Sequence, residues 1–334
     1  MELNTVSLSD FTKLANVLWQ KGYNSVPQVM RNSGLFQVVP VPMNSGNTRE
    51  FTEIDGQEYA RYKGESDQAN RASVQQGYSK TMTMYRVALD IGISYEMRTQ
   101  NKYPEVVRKL TNLGKQVANR MDLDLAHRIT FAHSTSYTDM DGRTVDVTVG
   151  DTLALGSAVH TLRGSSSTFS NLVSGNPRLS KGALEAAERL VVEQTLNQFG
   201  EKMTMSFNKL WTTDDPNTVN TAKEYLQSTA DVEGANSGVK NVYMSKYSHV
   251  ILPRVATTAS GAVDNTKRYY WGLASTDMST AYLGVWEEPR LKSPSEGNNA
   301  DDFATDDWNF GARGGYGIAT VSAAWIKISK GDGS

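Results

Sequence analysis

Between Met84 and Phe131 the chain writes its longest strand pattern and its longest helix pattern almost back to back. From Tyr85 to Met97 every odd position is apolar (Tyr85, Val87, Leu89, Ile91, Ile93, Tyr95, Met97), alternating with Arg86, Ala88, Asp90, Gly92, Ser94 and Glu96. Period two over that length predicts a half-buried strand of roughly 40 Å at about 3.3 Å per residue. A usual strand has only about five or six residues. After the break at Tyr103-Pro104, apolar residues return at Val106, Leu110, Leu113, Val117, Met121, Leu125 and Ile129. Steps of three and four mark one face of a helix, here about 45 Å long at about 1.5 Å per residue. A compact enzyme seldom needs either element; a flat, elongated subunit that must reach its neighbours needs both.

Composition narrows the class. A chain of 334 residues can bury a sizeable core, enough for two domains or one elaborated domain. With 34 basic against 36 acidic residues and a net charge of −2, it offers no overall cationic field, and no basic stripe is evident along the sequence. The absence of cysteine removes disulfides and thiolate zinc sites and is compatible with a reducing compartment. Glu2, Asp10 and Lys13 interrupt the first residues, so no signal-peptide core is present there. No run approaches the roughly 18 apolar residues of a membrane span. A soluble protein without a membrane partner is the expectation.

The chain is expected to begin with a helix capped by Ser9 or Asp10 and carrying Phe11, Leu14, Val17 and Leu18 on one side. An arm follows to Asn47, where Pro27, Pro40, Pro42, Gly34 and Gly46 interrupt Leu35 to Val39. Asn47 to Lys80 alternates in places but holds too few aliphatic residues for a core, and Gly56, Gly64 and Gly77 provide turning points. It reads either as a disordered surface insertion or as a long polar hairpin ordered against neighbouring copies. Tyr59, Tyr62, Tyr78 and Tyr85 favour the hairpin, because tyrosine buries a large area while keeping a polar tip.

Beyond the long helix, His133 to Asn176 is irregular, with a short strand candidate at Thr144 to Val149. A helix capped by Ser180 carries Leu184, Ala187, Leu190 and Val191, with Gly200 as its C-terminal glycine. Met203, Met205 and Phe207 alternate into Leu210-Trp211 as a buried strand, and Asp215 caps another helix with Pro216 in its first turn. Val239 to Val255, broken by Pro253, and Tyr269 to Trp286 read as strands, giving a mixed lobe of helix and sheet. Ile318 to Ile328 closes the chain as a strand.

Most chemical constellations fail on spacing. His127, His133, His160 and His249 are scattered, and a structural role is the better reading for each. Asp122, Asp124 and His127 resemble a metal cluster, but the two aspartates point to different sides of one helix, and pairing of Asp124 with Arg128 is expected. Asp301-Asp302 and Asp306-Asp307 lack the spacing and terminal glutamate of a calcium-binding hand. Gly311, Gly314, Gly315 and Gly317 precede a strand rather than opening a helix, so a turn is expected there and not a nucleotide loop. Neither a Gly-x-Ser-x-Gly elbow nor a His-Glu-x-x-His motif occurs. No catalytic, cofactor-binding or metal-binding residue is assigned.

Taken in order, an arm, a polar hairpin, a long strand, a spine-like helix at Lys102 to Ala132, a central lobe and a returning strand resemble the major capsid protein of tailed bacteriophages. This is the α+β Hong Kong 97 fold, shared with encapsulins; the resemblance covers nearly the whole chain and rests on element order and length. It implies an arm at 1–46, an extended loop at 47–84, a peripheral domain at 85–179 with its spine helix at 102–132, an axial domain at 180–310 and a return strand at 311–334. It further implies a non-enzymatic subunit that self-assembles into hexamers and pentamers of an icosahedral virion shell in the host bacterial cytoplasm. The shell would enclose double-stranded DNA without sequence-specific binding. In the extended loop, Phe51, Tyr59, Arg61, Tyr62, Lys63, Arg71 and Tyr78 are the residues implied to meet adjacent subunits, with Arg61, Lys63 and Arg71 set among Glu58, Glu65 and Asp67 for charge pairing. The arm starts almost at Met1, which leaves either a separate scaffolding protein or a mature form already trimmed. A portal and a decoration protein are the other partners the resemblance implies. Members that crosslink join a Lys to an Asn of another subunit; Lys63 and Lys80 lie in the right loop, but no Asn partner is identified. An encapsulin-like compartment would carry a cargo enzyme instead of DNA. An enzyme or glycan-binding protein of another class would need acids such as Glu287-Glu288 or the 301–307 loop to converge on a substrate.

Overall fold

The structure is a computed structural model, and it describes residues 7–42, 46–57, 59–71, 74–232, 238–294 and 307–333. The chain opens with helix α1 (Leu8–Asn24), one turn of α2 (Val29–Asn32) and a short strand β1 (Gln37–Pro40). A hairpin of β2 (Thr48–Gln57) and β3 (Val74–Thr83) leads directly into β4 (Tyr85–Ile93), a short α3 (Tyr95–Thr99) and the long α4 (Tyr103–Thr130). Two small ladders follow, β5 (Ser136–Thr138) with β6 (Thr144–Asp146) and β7 (His160–Thr161) with β8 (Thr168–Phe169). Then come α5 (Lys181–Glu193), β9 (Lys209–Thr212), α6 (Pro216–Gln227), β10 (Ser248–Ile251) and β11 (Trp271–Ala274). The chain finishes through β12 (Ala281–Lys292), β13 (Trp308–Thr320) and β14 (Ile326–Ser329). Helices and sheets mix, in an α+β arrangement.

Two four-stranded sheets flank α4. The first runs β1-β12-β13-β4 and the second β10-β9-β11-β14, each with one parallel edge pair and otherwise antiparallel. At 28 residues α4 is about 42 Å long. Its first half takes α1 across it. A Cβ on Gly114 would run into the Trp19 carbonyl, and one on Gly22 into the Thr111 carbonyl, so this crossing needs both glycines. Its second half enters the main core, where Met121, Leu125 and Ile129 meet Leu283 and Ile318 of the first sheet and Trp211 and Ile326 of the second. Fully burying each such aliphatic side chain contributes about 1.5–3 kcal/mol. The opposite face of the second sheet presents Leu210, Trp271 and Leu273 to Leu184 and Ala187 of α5 and Ala222 and Leu226 of α6.

Several sequence expectations are corrected. The strand from Tyr85 ends at Ile93, because Ser94 accepts a hydrogen bond from the Met97 amide and caps α3. As the outer strand of its sheet, β4 also leaves Leu89 43% exposed, so its apolar side is only partly covered. Helix α1 is capped by Ser7, not Ser9 or Asp10, and buries Leu8, Phe11, Ala15 and Trp19 while Val17 lies 62% exposed. The glycines at 311–317 form the interior of β13 instead of a turn. A Cβ on Gly317 would sit 2.6 Å from the Thr83 carbonyl, so these positions let the end of β3 lie on the sheet. Gly200 belongs to a tight turn at φ +82 well beyond the end of α5, whose C-cap is Gln194. Met203 to Phe207 is not strand; only Lys209–Thr212 pairs. Within 239–255 only Ser248–Ile251 is strand, and within 144–149 only Thr144–Asp146. The final strand is two: β13 stops at Thr320, and β14 resumes at Ile326 in the other sheet.

Candidate assembly surface

The β2–β3 hairpin is anchored at its base and exposed at its tip. The ladder runs from Thr48 opposite Thr83 to Gln57 opposite Val74. Near the base, Phe51 stacks on Tyr282 with ring centroids 4.4 Å apart. Met82 and Met84 are buried, where the missing side chains of Gly284 and Gly317 admit them. Polar ties fix the hairpin to other parts of the chain. Lys80 Nζ donates to Asp146 Oδ2 and Thr148 Oγ1, both at 2.6 Å. The Tyr78 and Thr161 hydroxyls are 2.7 Å apart, Arg163 donates to the Gly77 carbonyl at 3.1 Å, and Gln198 donates to Glu53 at 3.2 Å. Burial pushes the Asp146 carboxyl up, but the bonds from Lys80 and Thr148 outweigh it and hold it below the ordinary carboxylate range.

Beyond the ladder, the Tyr59 amide donates to the Glu201 carboxylate at 3.2 Å and its hydroxyl donates to the Lys202 carbonyl. Residues 60–71 then form neither helix nor strand and are exposed throughout. The chain reverses at 64–67, where the Asp67 amide donates to the Gly64 carbonyl and Ser66 takes φ +68. Tyr62 stands fully in solvent, at 109% relative exposure.

The residues singled out in this loop therefore separate into two groups. Phe51 and Tyr78 face their own chain, and Tyr59 is tied to residues 201–202. Arg61, Tyr62, Lys63 and Arg71 occupy the exposed tip with Glu65 and Asp67, while Glu58 lies outside the described residues. The landing points Asp146, Thr161 and Glu201 were not found by sequence reasoning. They lie in irregular stretches, and no periodic pattern links them to the hairpin.

The other candidate groups serve packing. Asp124 accepts from Tyr316 at 2.7 Å and pairs with Arg120 at 3.0 Å; it does not pair with Arg128, whose guanidinium donates to the Asp146 carbonyl. Asp122 faces elsewhere, accepting from the Met30 amide and Arg254. Burial holds His127 and His133 down at about 4, so both are neutral near pH 7. His160 lies between Asp151 and the Leu155 carbonyl, and His249 meets Thr212. Glu287 pairs with Arg290 and Arg313, and Glu288 with Arg31. Residues 301–306 lie outside the described residues. Among the described residues no group of three or more His, Asp or Glu side chains is placed to hold a metal, and no helix is long and apolar enough to cross a membrane.

These features define a subunit built on a long helix between two sheets, with a hairpin projecting from it. The profile of a phage capsid protein family matches residues 78–328, and the chain belongs to that family. Solved structures agree in fold. The capsid of cyanophage P-SCSP1u aligns over 88% of this chain and 85% of its own at 12% identity and a TM-score of 0.54. Gordonia phage Cozz aligns over 90% and 85% at 12% identity and 0.51, and the capsid of an empty GTA particle over 91% and 89% at 11% and 0.50. No curated protein matches the chain. The protein is a structural, major capsid protein of a phage, a subunit of an icosahedral virion shell; the family match favours this over an encapsulin-like compartment.

Proposed function

We propose that the subunit self-assembles into hexamers and pentamers and that the exposed tip of the β2–β3 hairpin reaches an adjacent subunit in the shell. The observation that carries this reading is the contrast between a base held by ring stacking and polar ties to its own chain and a tip at 60–71 that is exposed throughout and belongs to no helix or strand. Within the tip, Arg61, Lys63 and Arg71 flank Glu65 and Asp67, charges suited to fixing register across a subunit boundary more than to raising affinity. Phe51, Tyr59 and Tyr78 support the same contact indirectly, by setting the direction in which the tip leaves the body. The domain assignment follows: an arm at 1–46, the extended loop at 47–84, a peripheral domain at 85–179, an axial domain at 180–310 and a return strand at 311–334. The shell encloses double-stranded DNA and is assembled in the host cytoplasm with a separate scaffolding protein, a portal and a decoration protein. The subunit catalyses no reaction of its own. Each subunit is immobilised by several weak contacts at once, so no single contact needs high affinity.

The test is the double substitution Tyr62→Ala with Lys63→Ala. Both side chains are exposed, so the free subunit is expected to keep its melting temperature while shell yield falls. Shells of normal yield and size from that variant would remove the role given to the tip.

A further inference from the structure

The chain carries a net charge of −2, but its charges are not evenly placed. The N-cap and first half of α4 present the exposed Lys102, Arg108 and Lys109 and the half-buried Lys115, with Glu105 the one acid of this stretch. Their spacing returns them to one side of the helix, with the amides of Asn112, Gln116 and Asn119 between them. Helix α1 crosses this half of α4 with Gly22 against the Thr111 carbonyl, and the residue before it, Lys21, is exposed. Lys109 donates to the Gly92 carbonyl at 3.2 Å. Lys21, Lys102, Arg108 and Lys115 enter no ion pair among the described residues. The aspartates of α4 do not balance them, because Asp122 and Asp124 are buried in its second half and engaged by Arg254 and Arg120. Exposed helices usually intersperse both signs. A face of one sign is the electrostatic footprint of a polyanion partner.

We propose that this α1–α4 face lines the inside of the shell and that Lys21, Lys102, Arg108 and Lys115 contact the phosphate backbone of the enclosed duplex DNA. The inference rests on the capsid reading and adds to it a direction: which side of the subunit faces inward. From Lys102 to Lys115 the cations spread over about 20 Å of helix at about 1.5 Å per residue, a track that suits a line of phosphates better than a point charge. Cations on flexible stems with amides between them position a backbone without reading bases. Each subunit's contact is weak, independent of sequence and sensitive to salt, and the repeated copies of the shell add.

The experiment uses unassembled full-length subunits titrated with a short fluorescein-labelled duplex, with shell formation scored in parallel by electron microscopy. Four phosphate contacts predict a slope of about −3.6 in log K against log salt, a loss of roughly 150-fold between 50 and 200 mM. The variant Lys102→Gln, Arg108→Gln, Lys115→Gln keeps Lys21 and is expected to fall to a slope of about −0.9, a loss of roughly 3- to 4-fold. Glu105→Gln is expected to tighten binding. Lys102 and Lys115 are also expected to react with a bulky amine-directed dextran in free subunits and to be protected in closed shells. Shells that form from subunits without duplex binding, an unchanged slope in the triple variant, or labelling of Lys102 and Lys115 in closed shells would each overturn the proposal while leaving the capsid reading intact. Preference for a peptide of residues 295–307, with its acidic cluster, over the duplex would assign the face to a neighbouring subunit instead. Failure of the wild-type chain to form any shell would remove the capsid reading itself.

Discussion

Lys327 offers the sharpest physical test of the core. It lies in β14 at 0% exposure, its Nζ donating to the carbonyls of Gln194 at 3.3 Å and Ser170 at 3.5 Å, with the Phe169 ring 5.7 Å away. Burial holds its ammonium down at about 7. An unfolded lysine titrates near 10.4, and the gap corresponds to about 5 kcal/mol. The sign follows from proton counts. Between about pH 7 and 10 the unfolded chain holds more protons at this group, so stability rises with pH by about 1.4 kcal/mol per unit. Below pH 7 both states are protonated, and the full penalty stands. Lys327→Met keeps the stem and removes the charge, at the loss of two long hydrogen bonds of about 1 kcal/mol each. The variant should therefore be more stable than wild type by about 3 kcal/mol at pH 6, with the advantage gone by about pH 9. Urea unfolding of unassembled subunits at the two pH values, with equal slopes for both proteins, reads this difference directly. A variant that is less stable at pH 6, or one that differs from wild type by the same amount at both pH values, would refute the reasoning.

Two further substitutions probe packing and anchoring. Gly114→Ala places a methyl group against the Trp19 carbonyl, a backbone atom that cannot turn aside; a loss of about 3 kcal/mol is expected in thermal or urea unfolding, and a neutral result would mean that α1 does not cross α4 as described. Lys80→Met removes the tie to Asp146 and Thr148. Because the Asp146 side chain is 61% exposed, the global loss should be below about 1 kcal/mol, while amide exchange in β3 accelerates. In the wild type the same tie is complete above the ordinary aspartate value of about 3.9 and is lost as the pH falls below it, because the paired carboxyl titrates lower than a free one.

Local signals carried much of the fold. The stripe from Val106 to Ile129 is buried as its spacing requires, and Ser180 and Asp215-Pro216 cap their helices because capping is decided within one turn. Period two failed beyond Ile93 because Tyr95 and Met97 keep the alternation while Ser94 starts a helix. The glycines of β13 read as a turn because what they make room for, Met84 and the Thr83 carbonyl, lies far away in sequence. Non-local pairing hides the passage from β13 in one sheet to β14 in the other. In the candidate surface the exposed tip was legible from its polarity. The roles of Phe51 and Tyr78 at the base were not, since an aromatic residue packs equally well on its own chain or on another. The excess of cations at 102–115 was passed over because the whole chain balances 34 basic against 36 acidic residues, which hides a local imbalance, and the crossing of α1 over α4 beside Lys21 is a non-local contact that no sequence pattern announces.

Size-exclusion chromatography with electron microscopy of the purified chain, alone and with candidate scaffolding partners, tests the shell-forming role most directly. The account predicts closed shells, tubes, or rings of five-fold and six-fold symmetry in at least one of these conditions, with the 60–71 tip protected from protease on assembly. A chain that stays strictly monomeric under both conditions would contradict it.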